Sequence, residues 1–300
     1  MRKQSGTAKR QRTVIALPAD EHSGSTSGLM VGEQWQLSEG GYYNPSRTQM
    51  QIFEQFNLAA DLVLKLRRRA RLIVANVGDA VDNNHHETTQ LVTPRIDEQE
   101  RMHTDVMDHF LKRVKFSKRR GDLLYYVEGT PAHVQKGAQS EERIARDLGA
   151  VPKRKGTAEH EFKDGRYTWD HLKLNINGVL LDISHHPGVT PGTRAWTRGN
   201  ALRSLLKSMY IESIDYKHPI PRYWIRAHRH KYTAEIHRGV QGTIEGFILP
   251  AFQSRTEYVN KIASHELATI GMLIIVIEPD GQTTWHCPHI VFEEDEYERI

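Results

Sequence analysis

Apolar residues along the chain fall into short continuous runs, each long enough for a buried strand and too short for a helix of its own. Residues 13–19 (TVIALPA), 72–77 (LIVANV) and 123–127 (LLYYV) are such runs. Unbroken rather than alternating apolarity predicts strands covered on both faces. Between them the period changes. Over 47–70, Ile52, Phe53, Phe56, Ala59, Val63 and Leu66 share one helical face, and over 95–116 Met102, Val106, Phe110 and Val114 recur at helical spacing. A short helix is predicted over 140–148, with Ser140 as its N-cap.

Further on, 172–177 and 179–184 predict a hairpin that turns near Asn177-Gly178. A helix is predicted over 199–211, and strands over 223–227, 232–237, 243–249, 271–278 and 283–287. Strand–helix alternation followed by consecutive strands predicts one α/β domain built on two packed sheets. The expected organisation is a basic arm over 1–12, a single domain over 13–292 and an acidic tail over 293–300.

Composition narrows this reading. A chain of 300 residues with 38% hydrophobic content can bury a substantial core. No apolar run approaches the roughly 20 residues of a membrane helix, so no membrane partner is expected. The run 14–17 is too short for a signal-peptide core, and the cytoplasm is the default location. Cys287 is the single cysteine, which excludes an intrachain disulfide and a cysteine-based zinc site. The net charge of +4 is mild. Basic runs at 67–71 (RRRAR) and 112–120 (KRVKFSKRR) make nucleic acid a candidate partner, although solvated helix ends carry such runs more often. The count that stands out is 17 histidines.

Their placement is not scattered. After the first strand come Asp20, Glu21 and His22; after the second, Gly78-Asp79-Ala80-Val81-Asp82-Asn83; after the third, Gly129-Thr130-Pro131-Ala132-His133. His185-His186-Pro187 follows 179–184, and His228-Arg229-His230 follows 223–227. Ligand sites in α/β sheets form at the carboxyl ends of strands, where each of these segments delivers Asp or His. On extended chain, residues i and i+2 face the same way, so Asp20 and His22, and likewise His228 and His230, are expected to aim together. Adjacent residues face opposite ways, so one of His185 and His186 is expected to enter the site, with His185 preferred. By the same alternation Arg229 points away and is given a structural role. Imidazole with carboxylate suits Mn, Zn or Fe, and the donors exceed what one ion takes.

Taken together the blocks resemble the calcineurin-like metallophosphoesterase superfamily: D-x-H at Asp20–His22, G-D-x-x-D at Gly78–Asp82, a third block at Gly129–His133, a later histidine, and the H-x-H of His228 and His230. The resemblance implies a sandwich of two mixed β-sheets flanked by helices and two divalent metal ions. One ion would take Asp20, His22, Asp79 and His230. The other would share Asp79 and take His228, His185 or His186, and a third-block ligand. The implied activity is hydrolysis of a phosphoester substrate by a metal-bridging hydroxide, with phosphodiesters, nucleic acid among them, ahead of phosphomonoesters.

The third block departs from the family. Either Thr130 stands where the family has an asparagine ligand and His133 handles the proton, or His133 is itself a ligand. A neutral hydroxyl is a poor donor, which favours the second alternative. The catalytic histidine would then be His85 or His86, which follow Asn84 in a manner that resembles phage and prophage phosphoesterases, with the host cytoplasm as the location in that case. A non-catalytic metal-containing binding protein is the contrasting expectation.

Overall fold

The computed structural model describes residues 10–84, 89–153, 165–189, 194–262 and 267–291. His85, His86, most of the basic arm and the acidic tail lie outside the described residues.

In chain order the first half contains β1 (Thr13–Leu17), β2 (Trp35–Gln36), β3 (Tyr42–Tyr43), α1 (Arg47–Arg67), β4 (Arg71–Asn76), α2 (Ile96–Arg113) and β5 (Leu123–Val127). Next come α3 (Pro131–Val134), α4 (Gln139–Asp147), β6 (Thr168–Trp169), β7 (Leu172–Ile176), β8 (Val179–Ile183), α5 (Asn200–Asp215) and β9 (Tyr223–Arg226). The rest is β10 (Thr233–Gly239), β11 (Gly242–Ile248), α6 (Glu257–Ile262), β12 (Thr269–Gly271), β13 (Leu273–Ile277), β14 (Thr283–His286) and β15 (His289–Val291).

Two mixed sheets carry the fold, as the sequence predicts. One runs β14-β13-β1-β4-β5-β6, with β1, β4, β5 and β6 parallel and β13 antiparallel to both of its neighbours. The other runs β10-β11-β9-β8-β7, with β8, β9 and β11 parallel and each edge strand antiparallel. Strand alternation sorts the apolar runs between two faces. Ile15, Leu17, Ile73, Ala75 and Val127 meet Leu181, Ile183, Ile225 and Phe247 between the sheets. Val14, Ala16, Leu72, Val74 and Leu124 face outward against Ile52, Phe56 and Val63 of α1 and Val106 and Phe110 of α2. On the far side, Leu202, Leu206 and Tyr210 of α5 cover Trp224, Ile244 and Ile248.

Local signals explain most boundaries. Ser46 and Gln49 close a reciprocal capping box at the start of α1. Asn177 (φ 54°) and Gly178 (φ 95°) make the tight turn between β7 and β8. Ser140 does not cap α4: Ala138 does, in left-handed conformation at φ 52°, and Ser140 is buried inside the helix.

The basic run 67–71 is not wholly a solvated helix end. Arg67 is buried; its Nη1 donates to the carbonyls of Val114 (2.9 Å) and Lys115 (3.0 Å), and its Nη2 to Asp122 Oδ2 (2.9 Å). Asp122 also accepts from the backbone of Leu72 (2.8 Å) and Ser117 (2.7 Å). This pair joins the ends of α1 and α2 to the amino ends of β4 and β5. Asp122→Asn leaves a buried guanidinium without its counter-charge and should cost about 3–5 kcal/mol in denaturant unfolding.

His103 of α2 is fully buried, with Nε2 3.1 Å from the Tyr126 hydroxyl. Burial pushes its pKa down from 6.5 to about 3. Between those values the unfolded chain holds a proton that the folded chain refuses. The stability contribution is therefore complete above about pH 6.5 and is lost as pH falls. Denaturation at pH 7 and pH 5 should show the native protein losing roughly 2 kcal/mol more over that interval than His103→Gln does.

Candidate metal centre

The loops leaving β1 and β4 run side by side. Asp20 N–H donates to Gly78 O, His22 N–H to Asp79 O and Ser23 N–H to Ala80 O, each at 3.0 Å. This pairing places Asp20, His22 and Asp79 together at the carboxyl ends of their strands, where β5, β8 and β9 also end. A side chain at either neighbouring glycine would block the approach. A Cβ on Gly78 would stand 2.6 Å from His185 Nδ1, and one on Gly129 would stand 2.3 Å from the Asp79 nitrogen.

The convergence predicted from strand alternation occurs, but by another route. β1 ends at Leu17 and β9 at Arg226, before any of the aspartates or histidines. Asp20, His22, Asp79, His228 and His230 instead adopt left-handed backbone, with φ of 52°, 45°, 56°, 73° and 49°. Each such residue costs roughly 1–2 kcal/mol relative to ordinary conformations, and such strain persists where the surroundings impose it. Alternation also fails for the adjacent histidines. The chain has left β8 by His185, and the rings of His185 and His186 lie 4.9 Å apart, each beside His228. Arg229 is exposed at the bend between the two histidines.

Asp79 is the hub. Its Oδ2 is 3.0 Å from His185 Nε2, 3.8 Å from His228 Nδ1 and 3.9 Å from His22 Nε2. On one side, His22 Nε2 and His230 Nε2 face each other at 3.2 Å, and His230 Nε2 is 3.4 Å from Asp20 Oδ1. On the other, the Thr130 hydroxyl donates to Asp79 Oδ2 (3.0 Å) and lies 3.3 Å from His185 Nε2 and 3.2 Å from His228 Nδ1. Thr130 therefore occupies the place among Asp79, His185 and His228, while His133 goes elsewhere. The His133 ring packs edge-on against His22 at 4.5 Å, and its Nδ1–H donates to the Asp82 carbonyl (2.9 Å).

Outer partners fix the ring tautomers. His22 Nδ1–H donates to Asp82 Oδ1 (3.0 Å) and His185 Nδ1–H to Val77 O (2.7 Å). Each directs its Nε2 at the hub. Burial alone would raise the carboxyl of Asp79, yet His185, His228 and His22 hold it well below the usual range. Asp20 is likewise held down, by His230 and His185 against its burial. His185 shows the reciprocal shift: burial opposes protonation, but Asp79 and Asp20 raise it to about 10. Burial, with His133 alongside, lowers His22.

These residues fit divalent cations. Asp20 Oδ1 is buried without a hydrogen-bond partner, and among the described residues no lysine or arginine pairs with Asp20 or Asp79. Ligands around one ion at bond lengths of about 2.0–2.1 Å stand about 3.3 Å from each other. The spacings of 3.2 Å between His22 and His230 and 3.4 Å between His230 and Asp20 match this. Donor atoms of Asp20, His22 and His230, and of Asp20, Asp79 and His185, each lie within 4.8 Å of one another.

Two buried acids below the centre carry no signal in the motif pattern. Glu21 accepts from Asn76 Nδ2 (2.8 Å), and Glu141 Oε2 accepts from Gly129 N–H (2.8 Å). Burial pushes both up to about 8. Glu141 reads in sequence as an ordinary acid in the first turn of α4, and only the tertiary contact turns it onto the third-block loop. Gln253 Nε2 approaches Asp82 Oδ1 at 3.4 Å, and neighbouring Phe252 belongs to the core.

No family model and no curated protein matches the sequence. Similar solved structures include a conserved uncharacterized protein, a predicted phosphoesterase, from Streptococcus pneumoniae, at 8% identity over 92% of this chain and 98% of that chain, with a TM-score of 0.29. Vacuolar Protein Sorting 29 from Cryptosporidium parvum matches at 9% identity over 94% and 100%, with a TM-score of 0.37. Vps29 from Entamoeba histolytica, solved with zinc, matches at 11% identity over 93% and 99%, with a TM-score of 0.32. Likenesses at these TM-scores decide neither fold nor chemistry, which rest on the sheets and side chains described above.

Left-handed backbone at a half-buried candidate ligand makes a separable prediction. His230→Gly relieves the strain at φ 49° while removing a donor. In the absence of metal the relieved strain, about 1 kcal/mol, offsets part of the cost of taking the imidazole away from Asp20, so His230→Gly should be more stable than His230→Ala in denaturant unfolding. Stabilisation by added Mn²⁺ or Zn²⁺ should be lost or much reduced.

Proposed function

We propose that the chain is a metal-dependent phosphoesterase that binds two divalent ions and hydrolyses phosphoester bonds, with phosphodiesters as the first substrates to test. The observation that carries this reading is a single carboxylate oxygen, Asp79 Oδ2, lying within 3.9 Å of imidazole nitrogens from both sides of the centre. Asp20, His22 and His230 with Asp79 would hold one ion, and His185 and His228 with Asp79 the other. Divalent ions so held supply Lewis acidity toward phosphoryl oxygens and acidify water at neutral pH.

The chain's own residues then position and move protons. Asp82 steadies His22 from behind and also receives His133, whose Nδ1 is 3.7 Å from Asp82 Oδ1. With Nδ1–H engaged by the Asp82 carbonyl, His133 Nε2 carries the exchangeable proton. The His133 side chain is 14% exposed, enough to meet a substrate oxygen. We assign it the protonation of the leaving oxygen, and to Thr130 the position taken by the asparagine ligand in the motif pattern.

Nucleic acid gains no support from the basic runs. Arg67 is buried and Arg113 pairs with Asp61, while the exposed cations of Lys118–Arg120 lie near the amino end of β5. The candidate centre gathers at the carboxyl ends of β4 and β5, across the sheet from them.

The test is hydrolysis of bis-p-nitrophenyl phosphate and a methyl phosphodiester by Mn²⁺-loaded protein. Asp79→Asn should lower kcat/KM by roughly 10³-fold on both, since the shared ligand underlies several kcal/mol of charge stabilisation. His133→Gln should keep both ions and lose about 10²–10⁴-fold on the methyl ester, where the leaving oxygen needs a proton, but far less on the nitrophenyl ester. Equal losses on both esters, or loss of a metal, would remove His133 from the proton-donor role. Two bound ions with no turnover on either ester would favour a binding protein.

A further inference from the structure

The second metal position has a weak donor where the motif pattern expects an amide. Thr130 Oγ1 fills that place, 3.0 Å from Asp79 Oδ2, and a neutral hydroxyl is a poor ligand. A compensating donor stands next to it. His186 directly follows His185, and the turn that leaves β8 brings both rings to the same side. The His186 ring is 4.8 Å from that of His228 and 4.9 Å from that of His185. Donor nitrogens of His185, His186 and His228 all lie within 4.8 Å of one another.

From this geometry we infer that His186 is a ligand of the second ion, making that position a three-histidine site closed by the shared Asp79; the inference rests on the dinuclear reading above. The His186 ring is exposed, whereas His185 is locked by its bond to Val77 O. The donor nitrogens already lie within 4.8 Å of one another, and ligands on one ion stand roughly 3.3 Å apart, so the movement asked of the exposed ring is small. The two positions then differ in kind. The first has two carboxylates, Asp20 and Asp79, with two imidazoles. The second has one carboxylate with three imidazoles. Imidazole-rich sites prefer Co²⁺, Zn²⁺ and Fe²⁺, whereas carboxylate oxygens better retain Mn²⁺. The ions should therefore bind unequally, with Mn²⁺ held more tightly at the first position and Co²⁺ or Zn²⁺ more tightly at the second.

The experiment is calorimetric and visible-absorption titration of metal-stripped protein with Co²⁺, for the native chain and for His186→Ala. The native chain is expected to take two ions per chain, and the variant to weaken one of them at least tenfold while the other is unchanged. Its metal-free melting temperature should match the native value, because the substituted ring is exposed. Two ions in both proteins at equal affinity would overturn the assignment of His186 and leave the dinuclear reading standing. The same outcome with a raised KM would put His186 against substrate instead. Fewer than two ions in the native chain would overturn the dinuclear reading, and this inference with it.

Discussion

Two carboxylates, Asp20 and Asp79, are buried together at one end of a mixed sheet, and among the described residues the only basic side chains beside them are imidazoles. Burying one such charge uncompensated costs several kcal/mol, and two near one another cost more. The surrounding structure follows from that constraint. Histidines arrive from β8 and β9 because each carboxylate needs a positive or metal-binding neighbour. The loops after β1 and β4 hydrogen-bond to each other because their polar backbone is buried with the carboxylates. Glycines at 78 and 129 let His185 and the loop after β5 close in on Asp79.

The scaffold divides its work accordingly. The amino ends of the strands are tied down by the Arg67–Asp122 pair and its five backbone partners, far from the candidate centre. The carboxyl ends carry the strained, left-handed residues. Apolar packing on both faces of the first sheet offsets that strain. A metal-free chain retains the cost of the arrangement without the compensation for which its donors are suited.

Much of this was legible in sequence. The apolar runs specified the two mixed sheets because strands buried on both faces leave unbroken hydrophobic signatures. The polar segments after those runs specified which side chains meet, because parallel strands bring their carboxyl ends together. The reason for the meeting was not legible: alternation along extended chain pointed Asp20 and His22 the same way, whereas left-handed turns beyond the strands bring them together. Such turns leave only a weak residue signature, the enrichment of Asp and His in left-handed conformation, when glycine is absent from the position itself. The same gap misplaced His186, which alternation turns away and the loop brings in. It also favoured His133 over Thr130, whereas the third block folds into α3 and carries His133 away from Asp79, His185 and His228 to Asp82. Glu141 was invisible for a simpler reason, because an acid in a helix's first turn reads as solvated unless its tertiary neighbour is known.

The central claim is that Asp79 Oδ2 is shared by two metal ions. Anomalous diffraction from crystals of the full chain grown with Mn²⁺ and Zn²⁺ tests it most directly. The account predicts two peaks about 3.5–4 Å apart, both within bonding distance of Asp79. A single peak bound only by Asp20, His22 and His230, or by no part of Asp79, would contradict it.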